Sequence, residues 1–408
     1  MHKTHSLLQN ASGNGTQPFG TSPDKNTAHF LDVAEFTNAF AIAYDWLYDI
    51  WDGDQKEKIM WSIINLGLKY GLMVHTNDPA TKDYNWWTTD VNGNWNCVCN
   101  GGLILGSLAI MENDPTGTAA ALLPLAVSNA AANCAMGPST DGTWSETANY
   151  WYFGTTGYAE LTSALMTATG GDHSMLEVNP AFKLTGLYHI HVSGMTAMFN
   201  YGDHGPNKFS TTANSMMFMG SAFNNPSYTL FQRDRNDSPE PWSMFWYDPA
   251  VMGAWWDGLE LDHYFNDPSD AWVSMRSSWT DNNGLALAMK VGGLTKHQTH
   301  GDLDAGDFVI DALGVRWAGE YGSADYLGDG YFLNEHQDSP RWLWYRKMTE
   351  GQNTIAVNGA NQLVTYTPAN MNYKSSETKQ GSSTVMDVPA DSTAFFTADL
   401  STAYAAGT

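Results

Sequence analysis

Residues 33–70 read VAEFTNAFAIAYDWLYDIWDGDQKEKIMWSIINLGLKY, and their spacing decides the first half of the fold. Phe36, Phe40, Tyr44, Leu47 and Trp51 recur at three- and four-residue steps, the period of one helix face. Asp52-Gly53-Asp54 interrupts the rhythm, and Ile59, Ile63, Leu66 and Tyr70 restart it. Two amphipathic segments joined by so short a break predict an antiparallel αα-hairpin. Helical spacing continues over 100–111, 119–135, 158–169, 188–201 and 211–223. A run of helical hairpins without strand signals favours a bundle, a solenoid or a closed toroid, and pattern alone does not separate them.

Near residue 270 the pattern changes. Gly284-LALAMKV-Gly292 reads as a strand, and Phe308-VIDALGVRWAGE-Tyr321 as two strands around Leu313-Gly314. Asn353-TIAVNGANQLVT-Tyr366 repeats strand, turn, strand around Asn358-Gly359, a strong hairpin dipeptide. Helices followed by strands predict two domains, and 408 residues are enough for both. The expected division is a loose segment at 1–28, a helical domain at 29–265 and a mostly antiparallel sheet domain at 266–408. Both ends read as cut from something longer.

Composition narrows the function. Hydrophobic residues make up 43% and charged residues 15%, as in a packed globular chain. A formal net charge of −24 argues against nucleic acid and anionic membrane surfaces, which require a basic footprint. No apolar run reads as long enough to span a bilayer. The same acidity sits awkwardly with an anionic substrate, although net charge does not fix the potential inside a cleft. Seventeen Trp and nineteen Tyr offer faces that suit sugar rings and plain packing alike. Cys97, Cys99 and Cys134 show no metal spacing and are expected as buried free thiols. Asn10, Asn14 and Asn236 stand in glycosylation sequons.

Four segments are dense in chemistry-bearing residues: Asn94–Gly102 (NWNCVCNGG), Glu146–Gly154 (ETANYWYFG), His297–Asp304 (HQTHGDLD) and Arg341–Ile355 (RWLWYRKMTEGQNTI). In this order they resemble the heparinase II/III-like polysaccharide lyases, over most of the chain from about residue 33. The resemblance implies an α+β multidomain protein, an N-terminal α/α-toroid followed by a mostly antiparallel β-sandwich domain that is incomplete at its C-terminus. It also implies β-elimination on an acidic, uronic-acid-containing polysaccharide, in a secreted or extracellular setting, with no cofactor required.

Such a reaction removes the weakly acidic proton α to a carboxylate. The enzyme must hydrogen-bond or neutralise that carboxylate, and supply a base for C5 and an acid for the leaving oxygen. By the resemblance Asn96 and His300 are the neutralisers, and Tyr150 is base and acid. The phenol's ordinary pKa near 10 would have to be lowered by cationic or donor neighbours. Asn96 could instead cap the helix expected to begin near Cys99, and His300 could be a turn residue, with His297 as a less favoured substitute. Asn100 and Glu146 are expected to support the site, Trp95 and Trp151 to stack on sugar, and Tyr345 and Arg346 to contact substrate. Where some relatives hold a metal with two His and an Asp, this chain has Asp302, Glu320 and Gln352. Oxygen ligands disfavour zinc. A metal-free arrangement is expected there, with a structural divalent cation near Asp302 and Glu320 as the less favoured alternative. Competing readings are a silent carbohydrate-binding or structural protein on the same fold, and an α/α-toroid glycoside hydrolase using acids such as Asp90, Asp141 and Glu146.

Overall fold

The computed structural model describes residues 29–204, 213–235, 241–294, 299–380 and 393–405. The sequons and His297 lie outside these residues. The chain divides into two compact units, residues 1–137 with 153–179, and residues 138–152 with 180–408.

The first unit is helical. Helix α1 (Phe30–Trp46) is followed by α2 (Gly53–Ser62), a π-helical turn (Ile63–Leu68) and α3 (Lys69–His75), the last three continuous in the chain. The break at Asp52 is a capping box: its carboxylate accepts from the Gln55 N–H while the Gln55 side chain accepts from the Asp52 N–H. Helix α4 (Trp95–Ile110) packs against α1 so closely that a Cβ on Gly102 would lie 2.2 Å from the Ala34 carbonyl oxygen. Gly106 makes the same allowance for Thr37. Glycine at 102 and 106 of this helix is therefore a packing requirement.

Two expectations are overturned here. Cys97 at the start of α4 is bonded to Cys134, just beyond α5 (Thr118–Ala132), and only Cys99 among the described residues is a free, buried thiol. Neighbouring cysteines at i and i+2 cannot pair on a helix; the partner lies on another element, which spacing within one motif cannot reveal. Thr118–Met136 is, by length and composition alone, apolar enough to cross a membrane. A core helix passes the same test, and Ala119, Leu122, Ala126 and Ala130 are buried.

Helix α6 (Ala148–Thr169) begins in the second unit and continues in the first. The second unit adds α7 (Thr185–Val192), α8 (Ser215–Ala222), α9 (Pro226–Arg233) and α10 (Ser243–Trp246). The helix expected to run to Tyr201 stops at Val192. There the Asp311 carboxylate accepts from the backbone N–H groups of Met195 and Thr196, drawing the chain to the sheet.

Five antiparallel strands follow in sequence order: β1 (His263–Phe265), β2 (Trp272–Arg276), β3 (Leu285–Lys290), β4 (Phe308–Ala312) and β5 (Val315–Ala318). Ala312 pairs with Val315 across Leu313 and Gly314, both at positive φ, as a two-residue hairpin demands. Strands β6 (Ala369–Lys374) and β7 (Phe395–Asp399) form a separate antiparallel pair. The hairpin expected over 353–366 is reduced to a turn: Asn358 and Gly359 have positive φ, but only Val357 and Ala360 bridge. Its first residues are bonded elsewhere, Asn353 donating to the Asp307 carboxylate and to the carbonyls of Phe308 and Gly319.

Closing a 37-residue separation, the Cys97–Cys134 bond restricts the unfolded chain. Replacing both cysteines by serine is expected to cost about 2–4 kcal/mol. Urea unfolding of the two proteins checks this; equal midpoints would show that the bond carries no stability.

Candidate active site

Within the second unit, Tyr150 and His300 meet. Tyr150 sits in the first turn of α6, and its ring stacks on the His300 imidazole with centroids 3.5 Å apart and planes 10° from parallel. Its hydroxyl is 2.6 Å from that of Tyr326. His300 Nδ1 is 2.8 Å from Asp203 Oδ2, and Nε2 is 3.7 Å from Glu146 Oε1. A carboxylate can only accept, so Nδ1 carries the proton toward Asp203.

The backbone explains why these residues converge. Gly202 has φ +69°, and a Cβ there would lie 2.6 Å from the His300 carbonyl oxygen. That close approach lets the Asp203 N–H donate to the same carbonyl at 2.8 Å, setting the Asp203 carboxylate beside the ring. Thr147, a β-branched residue at φ +90°, turns the chain between Glu146 and the helix carrying Tyr150. Such a conformation costs on the order of 1–3 kcal/mol and persists only where surroundings impose it.

Behind the imidazole lies a buried ammonium. Lys347 Nζ contacts Asp203 Oδ1 at 3.0 Å, Asp302 Oδ1 at 3.1 Å and the Gly301 carbonyl at 3.2 Å. All three of its protons are used. Tyr331 donates its hydroxyl to Asp203 as well. Burial raises the Asp203 pKa, but Lys347, His300 and Tyr331 outweigh it and hold the carboxyl below its ordinary range. Asp302 goes the other way, to about 7, because burial and the neighbouring carboxylates Asp203 and Asp304 exceed the pull of Lys347. Asp307 is also raised to about 7, chiefly by burial.

Tyr150 departs from expectation. Burial raises its pKa, Asp203 and Glu146 raise it further, and the Tyr326 hydroxyl only partly offsets them. The cations expected to lower it are spent: Lys347 on Asp203 and Asp302, and Arg346 on the carbonyls of Tyr321 and Ser323 at 2.9 and 2.8 Å.

The other expected residues scatter. Glu146 is fully buried and close to His300. Tyr345 is 53% exposed, its ring 6.0 Å from that of Tyr321. Trp151 is fully buried, stacked on His189 at 4.3 Å with its indole N–H donated to Thr185, which is a packing role. Asp141 accepts from Thr143 and from the Asp267 backbone. Glu320 is pushed up by burial and by Asp307, and Gln352 donates to the Arg346 carbonyl. Among the described residues, no three His, Cys, Asp or Glu side chains stand where they could hold a metal ion.

Asn96 and Asn100 belong to the first unit. Helix α4 begins at Trp95, so Asn96 lies inside its first turn and does not cap it. Its amide donates to the Trp87 carbonyl and to Asn129 Oδ1, both at 2.9 Å. Its oxygen accepts from Asn100 at 2.9 Å and from the Cys134 N–H at 3.1 Å. Both amide protons and both lone pairs are engaged. Trp95 is half-buried beside Trp86.

Sequence reasoning did not single out Asp203, Tyr326, Tyr331 or Lys347. Each is far in sequence from Tyr150, and only the adjacency of Lys347 to Arg346 offered a signal.

Residues 269–404 match the family model described as Heparinase II/III-like, C-terminal. The chain is similar in structure to heparinase III, with TM-score 0.62 and 11% identity over 93% of this chain and 53% of that one. It is also similar to the heparan sulfate lyase HepC from Pedobacter heparinus, with TM-score 0.53 and 12% identity over 93% of this chain and 52% of that one. The chain thus spans about half the length of these proteins, and at such identities the likeness is one of fold. No curated protein matches it in sequence.

Lys347→Met would leave two carboxylates buried without their counter-charge, and is expected to destabilise the chain by about 3–5 kcal/mol, read from the urea midpoint. A second expectation concerns pH. Asp302 and Asp307 hold their protons more tightly folded than unfolded, so their contribution is fully present below about pH 4 and fades as pH rises through about 7. Asp302→Asn should flatten the decline in stability between pH 5 and 8; an unchanged slope would contradict the assignment.

Proposed function

We propose that this chain has the toroid-then-sandwich arrangement of a polysaccharide lyase and cleaves a uronic-acid-containing polysaccharide by β-elimination. The observation that carries the reading is the Tyr150–His300 stack, with Asp203 behind the imidazole and the Tyr326 hydroxyl on the phenol. The heparinase-like C-terminal domain and the fold of the lyases above support it. Residues 29–265 would be the α/α-toroid and 266–408 the sandwich portion, with β1 (His263–Phe265) already running into the sheet before that boundary. A protein with a buried disulfide suits an oxidising setting outside the cytosol.

In this reading the Tyr150 phenolate takes the proton from C5, and the developing negative charge moves onto the uronate carboxylate. The C4–O4 bond then breaks with formation of the C4–C5 double bond. The phenol returns its proton to O4, with Tyr326 holding the hydroxyl in place. His300, its ring fixed by Asp203, would present Nε2 to the carboxylate, and in its protonated form would donate there. Asn96, the second neutraliser by the resemblance, has both amide protons engaged within the first unit. Glu146 would orient the imidazole from the other side.

A phenol held above its ordinary pKa is a strong base that is thinly populated at neutral pH. The rate should therefore climb with pH across the neutral range, because the phenolate fraction rises about tenfold per unit. Absorbance near 235 nm, where the unsaturated product absorbs, follows the reaction on a panel of uronans. Tyr150→Phe is expected to lower the rate at least 10²-fold. A rate independent of pH from 6 to 9, or an active Phe variant, would remove Tyr150 from the role.

A further inference from the structure

Asparagine followed by glycine is chemically reactive as well as turn-forming. The side-chain amide can close a five-membered ring on the next backbone nitrogen, and glycine has no Cβ to block the approach. The chain has five such pairs, beginning at Asn14, Asn92, Asn100, Asn283 and Asn358. Asn14 lies outside the described residues, and the remaining four sit in different surroundings.

Three of the four are restrained. Asn100 is fully buried inside α4, its amide donating to Asn96 and Asn129 and its oxygen facing His75. Gly93 is buried, and a Cβ there would lie 2.2 Å from an Asp90 carboxylate oxygen, so the backbone after Asn92 is packed on that side chain. Asn283 is exposed, but the Gly284 N–H is donated to the Asp281 carbonyl at 3.0 Å.

Asn358-Gly359 has none of these restraints. Both residues are exposed, with φ at 54° and 68°. Neither the Asn358 side chain nor the Gly359 N–H makes a hydrogen bond among the described residues. A Cβ on Gly359 would meet nothing within 4 Å. A single bridge, between Val357 and Ala360, closes the turn, where a full hairpin would add rungs. The anchors stand further out: Thr354 donates its hydroxyl to the Ala305 carbonyl, and Gln362 bonds the N–H and carbonyl of the same residue. The stretch between them is held at its ends and open in its middle.

We infer that Asn358-Gly359 is a self-modification site at which asparagine converts to isoaspartate and aspartate. A base takes the Gly359 amide proton, and that nitrogen attacks the carbonyl carbon of the Asn358 side chain. Ammonia leaves as the new C–N bond forms, giving a cyclic imide. Water then opens the ring, at the main-chain carbonyl to isoaspartate or at the side-chain carbonyl to aspartate. Water is consumed, ammonia is released and nothing is oxidised. Ring closure requires rotation about the Asn358 Cα–C bond, which only the Val357–Ala360 bridge opposes. Either product adds a negative charge to a chain already at −24. Isoaspartate also routes the backbone through Cβ, which makes the turn a substrate for an isoaspartyl carboxyl methyltransferase. This chemistry needs no polysaccharide and does not depend on the lyase reading.

The test ages the full chain at mildly alkaline pH, once folded and once in guanidinium chloride, and follows the four asparagines by peptide mass spectrometry. In the folded chain Asn358 is expected to gain the amide-to-acid mass first. It should run roughly fivefold or more ahead of Asn283, where a hydrogen bond must break before the nitrogen can react. Asn92 and Asn100 should stay intact over the same period. In guanidinium the four rates should draw together, because the surroundings that separate them are gone. Labelled methyl transfer from S-adenosylmethionine by an isoaspartyl methyltransferase should mark the Asn358 peptide, and Asn358→Gln should remove that label. An intact Asn358 in the folded chain, or one no faster than Asn283, overturns the assignment. So does the same ranking in guanidinium, which would trace the order to local sequence and not to the fold.

Discussion

The candidate site depends on one buried charge. Lys347 carries its ammonium into the second unit with no exposed surface and gives its protons to Asp203, Asp302 and the Gly301 carbonyl. Isolated, such a charge would be prohibitively costly to bury, and so would either carboxylate. Together they fix the loop around His300 from behind. Asp203 is the hinge of the arrangement, since one oxygen faces Lys347 and the other faces His300 Nδ1. The imidazole that stacks on Tyr150 is thus oriented by a chain of electrostatic contacts that begins at a residue no substrate would touch.

This arrangement has a consequence for the phenol. A lysine spent on neutralising structural carboxylates cannot also lower a neighbouring pKa. Tyr150 therefore faces Asp203 and Glu146 across a partly desolvated space and is pushed up, not down. The sequence-based expectation required cationic or donor neighbours to lower the phenol's pKa, and among 408 residues only 19 are Lys or Arg. Three of the chain's cations are committed to buried carboxylates: Lys290 to Asp304, Arg316 to Asp311, and Lys347 to Asp203 and Asp302.

Legibility followed the range of the interactions. The Val33–Tyr70 hairpin and the Leu313-Gly314 turn are local, set by helical spacing and by residues able to adopt positive φ, and both could be read directly. The Asn358-Gly359 turn was legible for the same reason, but its flanking strands were not. Whether an extended segment pairs depends on what else competes for its backbone, and Asp307 wins at Asn353. The Cys97–Cys134 bond, the early end of the helix at Val192 and the Tyr326 contact are all partnerships across tens to hundreds of residues. Motif spacing carries no information about them. Tyr150 and His300 were found through a resemblance between ordered motifs, and their direct stacking adds geometry that neither motif contains.

The two units solve a common problem with different physics. A side chain that must hold one orientation needs every alternative hydrogen bond to be worse. In the second unit that is achieved with charge, at the cost of raised carboxyl pKa values at Asp302 and Asp307 and hence a dependence on pH. In the first unit it is achieved with neutral amides: Asn96, Asn100, Asn129 and Asn133 satisfy one another and the carbonyls of the turn at Trp86–Thr89, beside a disulfide. Neutral networks do not titrate, so the amide cluster should keep its geometry over a pH range in which the carboxylate cluster loosens.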